Sequence, residues 1–178
     1  MATTDLHYAI DEQDRLVRVD DGYYRFAREN GWTGADASLG RSLWDFVSGE
    51  QLKALQRILL RRVRDDKIVA ELPFRCDGPE VRRELDIRIT PTPSGRAVLF
   101  ETRVLAEEPR EYQPLLDPEA ERGEELVEMC GWCDRFRVEG EWVEVGEAAA
   151  RLQLFRRSEL PAISHNICPE CEVKLLHA

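Results

Sequence analysis

The 178-residue chain lacks any apolar run near the roughly 20 residues that span a bilayer. The stretch Met1 to Tyr8 has neither a basic start nor an apolar core, so no secretory signal is visible. Cytoplasmic localisation without membrane contact is the expectation. Positive charge is also short: 25 Lys and Arg stand against 35 Asp and Glu, a net charge of −10. The deficit is uneven, since residues 1–105 hold 17 basic against 18 acidic groups and residues 106–178 hold 8 against 17. Phosphate attraction is therefore disfavoured in the second stretch, and nucleic acid is not an expected partner. No Ser/His/Asp or paired-carboxylate constellation stands out, and neither a histidine-kinase core nor a nucleotide-cyclase motif is present. No catalytic residue is assigned and no enzymatic activity is expected.

What is present is a split set of cysteines. Cys130-Gly131-Trp132-Cys133 and Cys168-Pro169-Glu170-Cys171 are two C-x-x-C units separated by 34 residues. A two-residue spacer lets both sulfurs of a pair reach one ion at about 2.3 Å, and four thiolates complete a closed tetrahedron. One Zn²⁺ per chain on Cys130, Cys133, Cys168 and Cys171 is the expectation. Iron would use the same four sulfurs. A thiol/disulfide redox centre is a further alternative, because each pair can sit at a helix start. Covalent haem is excluded, since Asp134 and Glu172 follow the pairs where histidine is required. His165 precedes Cys168 by three residues and reads as a hydrogen-bonding neighbour of the site or a substitute ligand. Cys76 stands apart, beside Arg75 and Asp77, and reads as a half-buried spectator or a reactive thiol.

Periodicity supplies the elements of an α+β fold. Leu6, Tyr8 and Ile10 alternate with polar residues, Asp11 to Asp14 turn, and Leu16, Val17 and Val19 resume a strand. Asp20 and Asp21 cap a short helix that ends at Asn30-Gly31. Ser48, with Gln51, is the expected cap of a helix to Arg64 whose stripe is Leu52, Leu55, Leu59 and Val63. Its arginines read as a solvated face. Strands are expected over 67–76, 81–92 and 97–105. Three prolines and dense acid make 106–124 an acidic linker, although residues 118–129 can be written as a helix into the first cysteine pair. Beyond it, a hairpin turns at Glu139-Gly140, a helix runs over 146–157, and 160–167 reads as a loop before a terminal helix. The core available to 125–178 is small (Trp132, Phe136, Trp142, Val145, Leu152, Phe155 and Ile167), so this module needs its metal to fold.

The order strand, strand, short helices, long helix, three strands over residues 5–105 resembles a PAS domain. The stretches carrying the likeness are Gly40 to Phe46, Leu72 to Asp77 and Asp86 to Pro91. The resemblance implies a PAS-like antiparallel five-stranded sheet with helices over 1–105, and a sensory or signalling role with a protein partner or homodimerisation. It also implies a pocket between sheet and helices, for which Trp44, Phe46, Phe74, Ile87 and Phe100 are candidates; a filled core is the other reading of the same side chains, and the favoured one. Haem is disfavoured because His7 is the only early histidine, and covalent flavin because residues 30–41 hold no cysteine. Residues 125–178 are similar to a C-terminal extension of bacterial PAS and response-regulator proteins, on Cys130, Cys133, Gly140, Trp142, Ser164, His165, Ile167, Cys168, Pro169 and Cys171, with Asn166 where glycine is common. That resemblance implies a small zinc-stabilised β-hairpin/helix module.

Overall fold

The computed structural model describes residues 5–93 and 95–178. Among the described residues, four α-helices and two sheets make up a mixed α+β fold. The first sheet is antiparallel and five-stranded, as the sequence leads one to expect. Its strands are β1 (Asp5–Ile10), β2 (Leu16–Val19), β3 (Ala70–Arg75), β4 (Val81–Pro91) and β5 (Val98–Pro109), in the order β2-β1-β5-β4-β3. Period-2 burial fixes the register: Leu72 faces Ile87 and Ile89 faces Phe100, so one face of the sheet is apolar. Helix α1 (Asp21–Glu29) starts where the Asp20 carboxylate accepts the Tyr23 N–H at 2.8 Å.

Helix α2 (Glu50–Asp65) lies across the apolar face and buries Leu52, Leu55, Leu59, Leu60 and Val63. Ser48 does not cap it. Gly49 takes that position at φ +91, where a Cβ would stand 2.8 Å from the His165 carbonyl oxygen. Close approach of a distant strand therefore set the helix start, and the capping box with Gln51 is absent.

The second sheet contains β6 (Arg122–Cys130), β7 (Phe136–Val138), β8 (Glu141–Val143) and β9 (Leu160–Asn166), in the order β8-β7-β6-β9. Two expectations fail here. Residues 122–130 are a strand, not the end of a helix, and 160–166 are a strand, not a loop. The strands β6 and β9 pair in parallel, with Val127 opposite Ile163 and Met129 opposite His165. Pairing on both sides of β6 outweighs the helical propensity of its Glu, Leu and Met residues. Helix α3 (Val145–Arg151) is shorter than expected because Gln153 turns left-handed at φ +52, and Phe155 is 88% exposed instead of contributing to a core.

The stretch read as a linker is structured. Strand β5 continues to Pro109 beside Val81, and Leu115 is fully buried. Two of its three prolines occupy places that need no N–H donor, Pro109 at a strand end and Pro114 at the first position of a 3₁₀ turn. Helix α4 (Pro169–His177) closes the chain against α2, where Arg62 donates to the Leu176 carbonyl at 3.0 Å.

Two apolar cores result. The larger joins the first sheet and α2 to Cys130, Trp132, Ile167, Cys168, Cys171 and Leu175. The smaller lies under α3 and contains Leu115, Val127, Phe136, Val143 and Ala148.

Candidate metal centre

Each cysteine is placed by a local backbone device. Cys130 ends β6, and its N–H donates to the Arg135 carbonyl at 2.8 Å while its own carbonyl accepts the Asp134 N–H at 3.0 Å. Asp134 adopts φ +58 to close this turn. The loop thus folds Cys133 back towards Cys130. Cys168 is the N-cap of α4, Pro169 stands at the first helical position, and Cys171 follows in the first turn. The cysteines are unbridged, and the four sulfurs all lie within 4.8 Å of one another.

Cys133 Sγ and Cys168 Sγ are 3.7 Å apart. That is far beyond a disulfide bond of about 2.05 Å. It matches the edge of about 3.8 Å that a tetrahedron with metal–sulfur bonds of about 2.3 Å requires. The Cys168 N–H donates to Cys130 Sγ at 3.4 Å, a contact that favours a thiolate at a helix start. Without a cation the four thiols must share protons. Hydrogen bonds from Cys133, Cys168 and Cys171 pull the Cys130 thiol down, and those with Cys130, Cys133 and Cys168 push Cys171 up. A bound cation would let all four ionise together. Positive side chains also stand nearby: Arg135, held by Glu170 at 2.7 Å, feels Cys133, and Lys174 feels Cys171. The cluster can hold a metal ion in closed four-sulfur coordination.

His165 is outside the sulfur cluster and belongs to the wall of a neighbouring cleft. Cys76 is also outside it. Burial, followed by the negative charges of Asp134 and Asp77, pushes its thiol up to about 11. It is therefore a poor nucleophile at neutral pH.

The cleft lies beside the first cysteine pair and has a volume of about 490 Å³. Of the residues expected to line a pocket, Phe46, Phe74 and Ile87 do so here. Phe100 and Ile87 border a smaller adjoining cavity of about 70 Å³. Trp44 lines neither; its Nε1 donates to Asp14 at 2.9 Å and the Arg57 guanidinium sits over its ring.

Sequence reasoning missed the group that binds the two halves together. The Trp132 carbonyl accepts the Arg75 N–H at 3.0 Å, and Trp132 Nε1 donates to the Pro73 carbonyl at 2.8 Å. The loop between Cys130 and Cys133 thereby covers the open edge of β3. Asp77, with a side chain 0% exposed, accepts from Arg110 at 3.1 Å and from Arg75. The Asp77 N–H in turn donates to Asp134 Oδ2 at 2.7 Å. Burial pushes the Asp134 carboxyl up to about 7. Arg75 spans to Glu144 at 2.7 Å. The only sequence signal for this network was the paired arginine and aspartate around Cys76.

No family model and no curated protein matches the chain. Among solved structures it is similar to a sensory box sensor histidine kinase from Vibrio cholerae, with 8% identity over 60% of this chain and 83% of that one and a TM-score of 0.39. At that score the likeness carries no weight for function. Among the described residues no helix is long and apolar enough to cross a membrane.

Proposed function

We propose that the chain is a cytoplasmic signalling or protein-interaction protein without catalysis of its own, a PAS-type sensor unit joined to a structural zinc centre. The observation that carries the metal reading is the convergence of four unbridged sulfurs within 4.8 Å of one another. Four protein sulfurs leave no open coordination position, which suits a structural rather than a catalytic zinc. The sensor reading is supported by the antiparallel five-stranded sheet packed under α2 and by the cleft along it. Output passes to a protein partner, or between two copies of the chain, rather than to nucleic acid or a membrane. Native mass spectrometry with elemental analysis tests this. One zinc per chain, retained under mild oxidant, is the expected result. Metal-free protein with reactive thiols would turn the assignment to a redox-responsive sensor, a reading favoured only by the half-buried position of Cys133.

A further inference from the structure

The cleft has walls from both parts of the chain. The first sheet supplies Phe74 and Thr102, and the segment between the first two cysteines supplies Gly131 and Trp132, with Asp134 immediately after them. Its volume of about 490 Å³ falls within the range of roughly 300–1,000 Å³ typical of small-molecule sites. Most of the wall is apolar, and much of it aromatic. Trp132 meets Phe74 with ring centres 5.7 Å apart, and Trp32 meets Phe46 at 5.6 Å.

The two carboxylates of the wall differ. Asp77 is saturated by Arg75, Arg110 and the Arg83 N–H. Asp134 is only 7% exposed and accepts one hydrogen bond, the Asp77 N–H on Oδ2. Its Oδ1 meets no donor among the described residues. That oxygen is not sealed off from solvent, so a ligand in the cleft can donate to it. Asp134 is also part of the cysteine turn, since its N–H holds the Cys130 carbonyl. Gly131 fixes the turn against α2, because a Cβ there would stand 2.9 Å from Leu52 Cδ2.

We propose that the cleft takes a small aromatic molecule bearing a hydrogen-bond donor for Asp134, and that ligand and metal stabilise each other because residues 130–134 serve both sites. This rests on the metal-bound sensor reading above. The coupling is reciprocal: whatever the metal adds to ligand affinity, the ligand adds to metal retention.

Phenylnaphthylamine, a fluorescent aromatic with a single N–H, is a suitable probe. Titrated into the zinc-loaded full chain, it is expected to bind saturably, one molecule per chain. Its N-methyl analogue, lacking the donor, should bind about tenfold more weakly. Saturating probe should slow zinc extraction by a chromogenic pyridylazo chelator about tenfold. Thr102→Phe and Val47→Phe each place a ring in the cleft, away from the sulfurs. A variant that keeps its zinc and its circular dichroism should lose both probe binding and the protection of zinc. Probe binding that survives in both filled variants would overturn the site. Equal affinity of the two probes would overturn the role of Asp134. Zinc extraction at the same rate with and without probe would overturn the coupling. A chain that holds zinc but binds no probe defeats this inference alone, whereas a chain that holds no zinc defeats the metal reading and the coupling with it.

Discussion

The core beneath α2 and the core beneath α3 are built differently. The α3 core is closed by ordinary apolar side chains, with Phe136 at its centre and no cysteine in it. The α2 core contains Cys130, Cys168 and Cys171, and Cys133 packs against it. The four-cysteine cluster therefore does not fill the middle of the small C-terminal sheet. It stands at the seam between that sheet and the five-stranded sheet with α2, in one core with Leu52 and Leu175. A staple at a seam fixes the relative placement of two parts. That is a different task from rescuing a module too small to fold, which is how the sequence alone presents it.

The largest expected effect follows from removing a ligand. Structural zinc contributes on the order of 10 kcal/mol of folding free energy, comparable to the whole stability of a domain. Cys130→Ser or Cys171→Ser should abolish zinc binding and release α4 together with the segment around Trp132. Hydrogen exchange should then show lost protection in the first half of α2, which packs on the five-stranded sheet, while β7, β8 and α3 remain protected. Uniform loss across β7 and β8 with α2 untouched would restore the picture of an independent zinc module.

Truncating one aromatic on each side gives the next comparison. Trp132→Ala removes a ring packed on Phe74 and a hydrogen bond to Pro73. Phe136→Ala empties the centre of the α3 core. Each should cost about 3–5 kcal/mol by urea denaturation. Only Trp132→Ala should also accelerate zinc release, because only Trp132 ties the cysteine turn to β3.

A smaller effect is expected at the polar strap. Glu144 accepts from Arg75 at 2.7 Å and from Arg135 at 3.3 Å, with its side chain 45% exposed. Solvent screening reduces such a contact to about 1 kcal/mol, so Glu144→Gln should lower stability by that order in thermal or urea unfolding.

The smallest effect concerns pH. Burial tends to raise the Glu144 carboxyl, but the Arg75 and Arg135 guanidiniums outweigh it and hold the pKa below its usual 4.5. A depressed carboxylate adds stability that is complete above the unfolded value and lost as pH falls through the folded one. The difference between wild type and Glu144→Gln in urea midpoint should therefore shrink as pH is taken below about 4.5. A constant difference down that range would remove the strap from the account.

The elements that could be read from the sequence were those whose signal is local. The alternation in 70–75, 81–91 and 98–105, the Leu52 to Val63 stripe and the Asp20 cap depend on neighbours a few residues away. The cysteines were legible because metal geometry restricts their spacing. Strands β6 and β9 were not legible, because parallel partners lie far apart in sequence and Leu-Val-Glu-Met suits a helix equally well in isolation. Ser48 was misread as a cap for a related reason. The competing residue, Gly49, is selected by a carbonyl of β9 more than a hundred positions away.

The sequence by itself determined a charged α+β chain, the five-stranded sheet and the four sulfurs, because periodicity and ligand spacing are properties of short stretches. Only the tertiary structure decided where those sulfurs stand. The turn at residues 130–134 is pressed between α2, β3 and β9, and long-range packing made it a wall of the cleft along the five-stranded sheet.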